Sequence, residues 1–426
     1  MTCMEYGEDQ LQFELPQNWR VSGEIRIRRV DPGKSEADII KAALQLPIGC
    51  ERLATMALDG KRIGIVISDW TRFTGSDRFL PILFDELTAA GANLRNVTLF
   101  IGRGTHREPN ISELQRILSE SIYQKFTDWN QIHIHDCEND DQLSFLGTTS
   151  FGTPVYVNRL LMQQDVKILT GSIVYHYFAG FGGGRKSILP AMSGAATIRK
   201  NHSLNVDPVE DRMHPHVRIG EITRNPVALD MLETAQMAKV DFILNTVMDE
   251  RKRIIYAVAG DLREAHNQGC TFAASVYGIK IPDQADIVVA STQTAKNWIQ
   301  SHKSLYNASL AVKDNGVIIL LAVCPEGTGS AEFEEWIGLG IKGIFARLRS
   351  APALLGQTAY SSLLRGGKTI IVTRLTGEVC RRMGMIKADS LEQAIKLAGQ
   401  RLAKMNVAEP TVYLMPYAGY TVPFLE

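Results

Sequence analysis

The sequence is poor in cysteine, in long apolar runs and in excess charge, and each shortage argues against a class of protein. Its six cysteines, spread over 426 residues, form no C-x-x-C pair, so we expect neither a disulfide framework nor a thiolate zinc site. The apolar runs, such as GVIILLAV from Gly316, are too short to span a bilayer. Basic and acidic residues number 46 each and no basic run stands out, so neither a membrane nor nucleic acid is an expected partner.

The N-terminal stretch MTCMEYGEDQLQFELPQNW is acidic and polar, and it lacks the basic start and apolar centre of a signal peptide. We therefore expect a cytoplasmic protein. A chain of this length exceeds what one hydrophobic core usually supports, and this predicts two domains.

Hydrophobic periodicity predicts an α/β fold with two domains, each with a largely parallel sheet flanked by helices. From about residue 60, short β-branched runs alternate with amphipathic segments of helical length. The predicted strands are Arg62–Ile67, Val97–Ile101, Gln131–His135, Val166–Thr170, Asp241–Val247, Asp286–Ala290, Gly316–Leu321, Lys368–Val372 and Thr411–Met415. The predicted helices are Asp77–Ala90, Ile111–Glu120, Leu262–Tyr277, Lys303–Val312 and Leu391–Ala403.

The predicted domain boundary lies in GIKIPDQADIVVAS, which starts at Gly278 and contains a turn-rich pause before a new strand. The first domain is predicted over residues 1–279 and the second over 280–405. A closing strand and tail, 406–426, can join the sheet of the second domain or return to the sheet of the first domain.

Polar side chains follow three of the predicted strands at the point where each strand ends. Asp69, Thr71 and Arg72 follow the first strand, His106 follows the second in GRGTHR, and His176 follows the fourth. Ligands of parallel sheets bind outside the carboxyl ends of the strands. Any one of these residues alone is more often a helix cap or a surface ion pair, but their recurrence at three strand ends predicts a functional site.

A glycine-rich stretch, GFGGGRKS from Gly180, matches the phosphate-binding pattern G-x-x-x-x-G-K-[ST] except at Arg185. In that pattern the last glycine lets the backbone wrap a phosphate without a side chain in the way, which argues against a triphosphate loop here. Bare amides beside Arg185 and Lys186 still suit one phosphate or carboxylate. A nucleotide hydrolase or kinase using Lys186 and Ser187 remains the alternative.

The other candidate residues have patterns that sequence alone leaves open. His133 and His135 alternate along one strand, and a polar sheet face is favoured over a metal site there. Gln300 and Lys303 are three residues apart and would share one face if this segment were helical. Two alternatives are open: these side chains bind a carboxylate and a hydroxyl of a ligand, or they form an ordinary solvent-exposed face.

Taken together, the motifs resemble those of the nickel-dependent lactate racemase family over about residues 10–420. They are D69-W-T-R72, G104-T-H106-R107, H176-Y-F-A-G-F-G-G-G-R-K186, N201-H202 and Q300-x-x-K303, followed by C-P-E-G. The resemblance implies a two-domain α/β enzyme with its active site between the domains. It also implies a nickel-pincer nucleotide, a pyridinium mononucleotide that holds nickel and is made by separate cofactor-biosynthesis enzymes.

The resemblance also implies a role for each matching residue. His106 and His176 are the paired acid/bases, His202 is a nickel ligand, and Lys186 contacts the cofactor and joins it covalently in some members. The further cofactor-binding positions are Gly182, Gly183, Gly184, Arg185, Asp69 and Thr71, and the substrate-binding positions are Arg72, Gln300 and Lys303. The implied reaction is racemisation of a small 2-hydroxy acid by hydride transfer to the cofactor. Two bases are needed because each enantiomer presents its hydroxyl differently.

Several departures from the family pattern alter the surroundings of these residues and leave the substrate open. The chain reads Phe73-Thr-Gly75 where prolines are common, Ile299 stands where tyrosine is common, and no tryptophan follows Trp336. A racemase or epimerase of another 2-hydroxy acid is therefore an alternative to a lactate racemase. A non-catalytic member that binds a hydroxy acid is a further alternative, disfavoured by the two retained bases.

Overall fold

The computed structural model describes residues 2–426 and divides the chain into two compact units. The first unit consists of Arg29–Pro208 and Met213–Ala274. The second unit consists of the chain up to Arg28, Val209–Arg212 and Ser275–Glu426. In both units parallel strands alternate with helices, and this confirms the predicted α/β class.

The strands are numbered in chain order through both units. They are β1 Thr2–Tyr6, β2 Asp9–Phe13, β3 Arg20–Glu24, β4 Ile63–Ser68, β5 Val97–Gly102, β6 Ile132–Ile134, β7 Leu143–Thr148, β8 Pro154–Asn158, β9 Val166–Ser172, β10 Tyr175–His176, β11 Gly180–Phe181, β12 Phe242–Met248, β13 Ile254–Gly260, β14 Gly278–Ile281, β15 Ala285–Ser291, β16 Val312–Leu321, β17 Thr369–Val372, β18 Ile386–Ala388, β19 Thr411–Met415 and β20 Val422–Leu425.

The α-helices are numbered in the same way. They are α1 Glu36–Gln45, α2 Ser76–Ala89, α3 Ile111–Leu118, α4 Glu120–Asp128, α5 Arg159–Met162, α6 Ala195–Ser203, α7 Pro226–Met237, α8 Glu264–Tyr277, α9 Trp298–Ala311, α10 Ala331–Gly338, α11 Gly340–Ser350, α12 Leu354–Gly366, α13 Gly377–Arg382 and α14 Leu391–Ala403. No helix within residues 2–426 has both the length and the apolar character needed to cross a membrane.

The first unit is built on a six-stranded sheet in the order β13-β12-β9-β4-β5-β6. Neighbouring strands from β12 to β6 are parallel, and β13 runs antiparallel at one edge. The central strand β4 is buried over Ile63–Ile67, as expected for a strand covered by helices on both faces of the sheet. Ile63 of this strand lies in register with Val97 on one side and Val166 on the other.

The second unit also has a six-stranded sheet, in the order β18-β17-β16-β15-β19-β3, and all its pairs are parallel. Its edge strand β3 comes from the N-terminal end of the chain, with Arg20 opposite Thr411. A separate parallel pair joins β14 to β20, with Gly278 opposite Val422.

The unit boundaries differ from the predicted domains at the N-terminal end of the chain. The predicted first domain, 1–279, includes the residues up to Arg28, but β3 completes the sheet of the second unit. The closing segment 406–426, for which the sequence leaves both sheets open, joins that same sheet through β19. Short edge strands have weak sequence signals of their own, and pairing with distant strands decides where they belong.

Candidate active site

The three strand ends that carry polar residues lie side by side in the first unit. Strands β9, β4 and β5 are neighbours and parallel, so their carboxyl ends meet at one edge of the sheet. The loops beyond them are joined by hydrogen bonds: Gly104 N–H donates to Ala191 O at 3.1 Å, and Ser187 Oγ donates to Thr170 O at 2.8 Å. The predicted convergence of these loops is therefore present within this unit.

His106 forms a close pair with Asp69 across two of these loops. The His106 Nδ1 atom lies 2.5 Å from Asp69 Oδ2, and Asp69 is buried while the imidazole is 44% exposed. Thr71 supports the carboxylate from its other side, because its hydroxyl donates to Asp69 Oδ1 at 2.7 Å. A carboxylate on Nδ1 favours the tautomer with its proton there, which leaves Nε2 to exchange protons with a ligand.

The pKa of Asp69 results from opposing influences. Burial raises it, but the hydrogen bond and positive charge of His106, the Thr71 hydroxyl and the charge of Arg72 together lower it below its ordinary value. Asp69 is therefore a carboxylate at neutral pH and can stabilise a protonated imidazole at His106.

His176 and Lys186 meet beside an aromatic ring. The Lys186 Nζ atom lies 3.5 Å from His176 Nε2 and 5.1 Å from the centre of the Phe178 ring. The His176 ring packs edge-to-face on Phe178 at 4.4 Å between centroids, and its Nδ1 accepts from the Ala179 N–H at 3.4 Å. These contacts fix the orientation of an imidazole next to a primary amine.

His202 packs on another side of the same phenyl ring. Its ring centroid lies 5.2 Å from that of Phe178, and its Nδ1–H donates to Ile198 O at 2.7 Å. Burial, with the nearby charge of Lys186, lowers the pKa of His202 to about 4. It is therefore a neutral imidazole with Nε2 as its basic nitrogen, the form that ligates metals.

The glycine-rich loop does not have the arrangement of a triphosphate loop. Two of its glycines have positive φ, +73° at Gly183 and +51° at Gly184. The Arg185 side chain is buried behind the loop and donates to Ala179 O at 2.8 Å. Ser187 is also buried, and its hydroxyl donates a hydrogen bond to Thr170 O. Arg185 was predicted as a cofactor contact, but its guanidinium binds protein atoms inside the fold.

The predicted substrate residues occupy different parts of the chain. Arg72 is exposed in the loop after β4 of the first unit. Gln300 and Lys303 lie one turn apart on α9 of the second unit, which begins five residues earlier than the predicted helix. Asn297 caps this helix by accepting from Gln300 N–H at 3.1 Å. The substrate-binding role of all three stays a prediction.

His133 and His135 have a structural partner in common. The Asn158 amide nitrogen lies 3.0 Å from His133 Nε2 and 3.2 Å from His135 Nδ1, and His135 Nε2–H donates to Ser193 O. Within the described part of the chain, no group of three or more His, Cys, Asp or Glu side chains has the arrangement of a metal site. The described contacts of this pair are hydrogen bonds to Asn158 and Ser193.

Two residues of the site region escaped sequence reasoning. The motif contains Phe178 without indicating a role for it, yet three candidate functional side chains pack around its ring: His176, His202 and Lys186. Asp230 is buried and accepts from Thr149, Thr153 and Asn201, the neighbour of His202. Because Asp230 is 29 residues away from Asn201 in the chain, no local pattern could connect them.

The α/β fold places two imidazoles, an amine and a buried carboxylate near its parallel strand ends, which are groups suited to acid–base catalysis. Comparison with known proteins makes the assignment specific. The family model described as the lactate racemase N-terminal domain matches residues 6–213. A lactate racemase of Thermoanaerobacterium thermosaccharolyticum is 33% identical over 407 residues, which cover 92% of this chain and 93% of that protein. The chain belongs to the lactate racemase family and is a racemase.

Further relatives support this assignment. A lactate racemase of Lactiplantibacillus plantarum is 29% identical over 381 residues, covering 86% of this chain and 87% of that protein. The solved structure of the lactate racemase apoprotein from Thermoanaerobacterium thermosaccharolyticum matches with a TM-score of 0.88 at 31% identity, covering 99% of both chains. A Thermotoga maritima protein, 18% identical with a TM-score of 0.67, covers 94% of this chain and 100% of its own, and shares the fold.

Proposed function

We propose that this racemase interconverts the enantiomers of lactate or a closely related small 2-hydroxy acid, with His106 and His176 as the paired acid/bases. The observation that carries the proposal is the state of the two imidazoles. Each has a partner at Nδ1, Asp69 Oδ2 for His106 and the Ala179 N–H for His176. Each ring is therefore oriented by the protein, with the two in complementary states: His106 has its proton on Nδ1 and a free Nε2 that can take a proton, whereas His176 accepts at Nδ1 and carries on Nε2 a proton that it can donate.

The residues present fit a nickel-pincer nucleotide. His202 is neutral, and its Nδ1 contact presents Nε2 as one imidazole donor for a late divalent metal. Lys186 supplies an amine 3.5 Å from His176 Nε2, beside the Phe178 ring on which His202 also packs. We propose that Lys186 and His202 hold the cofactor, with the loop of Gly182, Gly183 and Gly184 beside it. When bound, it supplies an acceptor for the hydride of the substrate Cα.

The remaining steps belong to the side chains of this chain. One imidazole takes the hydroxyl proton of one enantiomer, and the other returns a proton to the ketone oxygen when the opposite enantiomer forms. Asp69 holds the orientation of His106 and stabilises its protonated form, while Thr71 holds Asp69. Cationic and amide groups from Arg72, Gln300 and Lys303 bind the substrate carboxylate and oxygen. Separate biosynthetic enzymes supply the cofactor, and the protein works in the cytoplasm.

The proposal is tested on protein produced together with the cofactor-making enzymes. Incubation with each enantiomer of lactate and of a panel of small 2-hydroxy acids, followed by chiral chromatography, should show inversion of at least one acid. The variants His106→Ala and His176→Ala should each lose at least about 100-fold in turnover and keep their nickel. His202→Ala should lose the nickel, and the loop variant His216→Ala serves as the matched control.

Other outcomes would contradict the proposal in different ways. If nickel-loaded protein inverts no acid of the panel, the racemisation of a 2-hydroxy acid is overturned. Tight Mg-dependent ATP or GTP binding that is lost in Lys186→Ala would instead support the nucleotide alternative. Substrate binding without turnover in the nickel-loaded wild type would support a non-catalytic binding protein.

A further inference from the structure

The buried guanidinium of Arg185 is held without a carboxylate among the described residues. Arg185 is 4% exposed, and its Nη2 donates to Ala179 O at 2.8 Å while its Nη1 lies 3.3 Å from His266 Nδ1. Burial lowers its pKa to about 10, so it is still charged at neutral pH. A buried cation is costly unless polar groups surround it, so His266 is an essential part of its environment.

His266 connects this cation to the glycine-rich loop. Its Nε2–H donates to Gly182 O at 2.8 Å, and its Nδ1 is thereby the acceptor that faces Arg185. Burial, with the charge of Arg185, lowers the pKa of His266 to about 3 and keeps the ring neutral. The ring also lies against the loop backbone, because a Cβ on Gly184 would come within 2.6 Å of His266 Cδ2.

Two further hydrogen bonds hold the glycine-rich loop, at Gly184 and at Ser187. Asn245 Oδ1 accepts from the Gly184 N–H at 2.7 Å, and the Ser187 hydroxyl donates to Thr170 O at 2.8 Å. The side chains on both sides of Lys186 are thus directed into the protein. With its neighbours fixed in this way, Lys186 extends toward His176 and Phe178.

We propose that His266 is a positioning residue of this racemase. By joining Arg185 to Gly182 O, it fixes the loop from Gly182 to Lys186 and so sets the place of the Lys186 amine beside His176. The inference rests on the proposed function in one respect, the use of Lys186 as a cofactor contact. It assigns a role to a histidine on α8 that touches neither acid/base residue in the described contacts.

The test compares variants that differ in hydrogen bonding but little in volume. His266→Phe fills the space without a donor or acceptor, whereas His266→Gln keeps an amide donor for Gly182 O and an oxygen for Arg185. Cys270→Ala is the matched control, because Cys270 Sγ contacts the His266 ring at 3.6 Å without bridging to the loop. Hydrogen exchange is followed by mass spectrometry on the full-length apoprotein, and nickel content and turnover on protein produced with the cofactor-making enzymes.

In His266→Phe, exchange in a peptide covering residues 180–190 should rise about tenfold, the effect of losing one or two hydrogen bonds, while the β4 strand stays protected. Nickel content and turnover should fall to a similar extent and return within about twofold of wild type in His266→Gln. The control should resemble wild type throughout.

The proposal would be overturned if hydrogen exchange in residues 180–190 were unchanged in His266→Phe. It would also be overturned if Cys270→Ala behaved like His266→Phe. If His266→Phe loses protection in β4 as well, Arg185→Gln tests the same bridge, and wild-type loop protection in that variant would again overturn it. Hydrogen exchange is measured on the apoprotein, so it tests the role of His266 alone. If the proposed function is wrong, the nickel-loaded wild type will instead show no turnover.

Discussion

At the residue scale, the pairing of Asp69 with His106 shows how a buried carboxylate prepares an exposed imidazole. The carboxylate contacts the ring at 2.5 Å, and it is kept ionised by His106, Thr71 and Arg72 in spite of its burial. The sequence placed Asp69 and His106 at neighbouring strand ends but could not pair their atoms. That pairing depends on the direction in which each loop leaves its strand, which is set by tertiary packing.

Replacement of Asp69 by asparagine should lower turnover at least about 100-fold with little change in fold. The amide can donate to His106 Nδ1, which favours the opposite tautomer and removes the negative charge that stabilises the protonated ring. The measurement is kcat for both enantiomers as a function of pH. Asp165→Asn, which breaks an exposed ion pair with Arg62, is the control and should leave kcat unchanged; equal rates in both variants would refute the role of Asp69.

At the scale of elements, the small hairpin of β10 and β11 carries His176 and opens the glycine-rich loop. His176 lies opposite Gly180 in this hairpin. Gly180 has φ of +74°, and a Cβ there would come within 2.3 Å of Glu221 O. Glycine is therefore required at this position both by backbone conformation and by a close backbone approach. The motif was visible in the sequence, but its hairpin geometry was not.

Gly180→Ala should cost at least about 2 kcal/mol of stability and reduce turnover, because the hairpin must shift to accommodate the methyl group. Gly60→Ala is the matched control: Gly60 also has a left-handed φ of +69°, but a Cβ there would meet no described atom within 4 Å, so we expect a loss of about 1 kcal/mol. Urea unfolding and turnover measure both effects. Similar losses in the two variants would show that strain alone, and not the contact with Glu221, makes glycine necessary.

At the scale of the whole molecule, both units bury neutral histidines. Burial is the main cause that lowers the pKa of His135 and His202 to about 4 and that of His266 and His302 to about 3. In the unfolded chain these groups titrate near pH 6.5. Between these values the unfolded state binds more protons than the folded state, so folding stability falls as the pH falls.

The melting temperature should therefore be highest above about pH 6.5 and decline steadily toward pH 4, before most carboxylates are protonated. Each buried histidine contributes on the order of 1–3 kcal/mol to this decline. Calorimetry from pH 8 to pH 4 measures it, and His135→Gln should flatten the curve by removing one titrating group. A melting temperature that stays constant from pH 7 to pH 4 would contradict the burial of these rings.

The local sequence determined the α/β class, most of the sheet strands to within one or two residues, and the loops that carry the candidate site, because hydrophobic periodicity and glycine patterns are local signals. Only the tertiary structure decided that the N-terminal strand β3 belongs to the second unit, since edge strands are assigned by distant pairing. It also decided that Arg185 points inward to His266 while Lys186 points to His176. Adjacent residues of one motif point in opposite directions because packing on either side of a loop, and not residue type, sets the direction of a side chain.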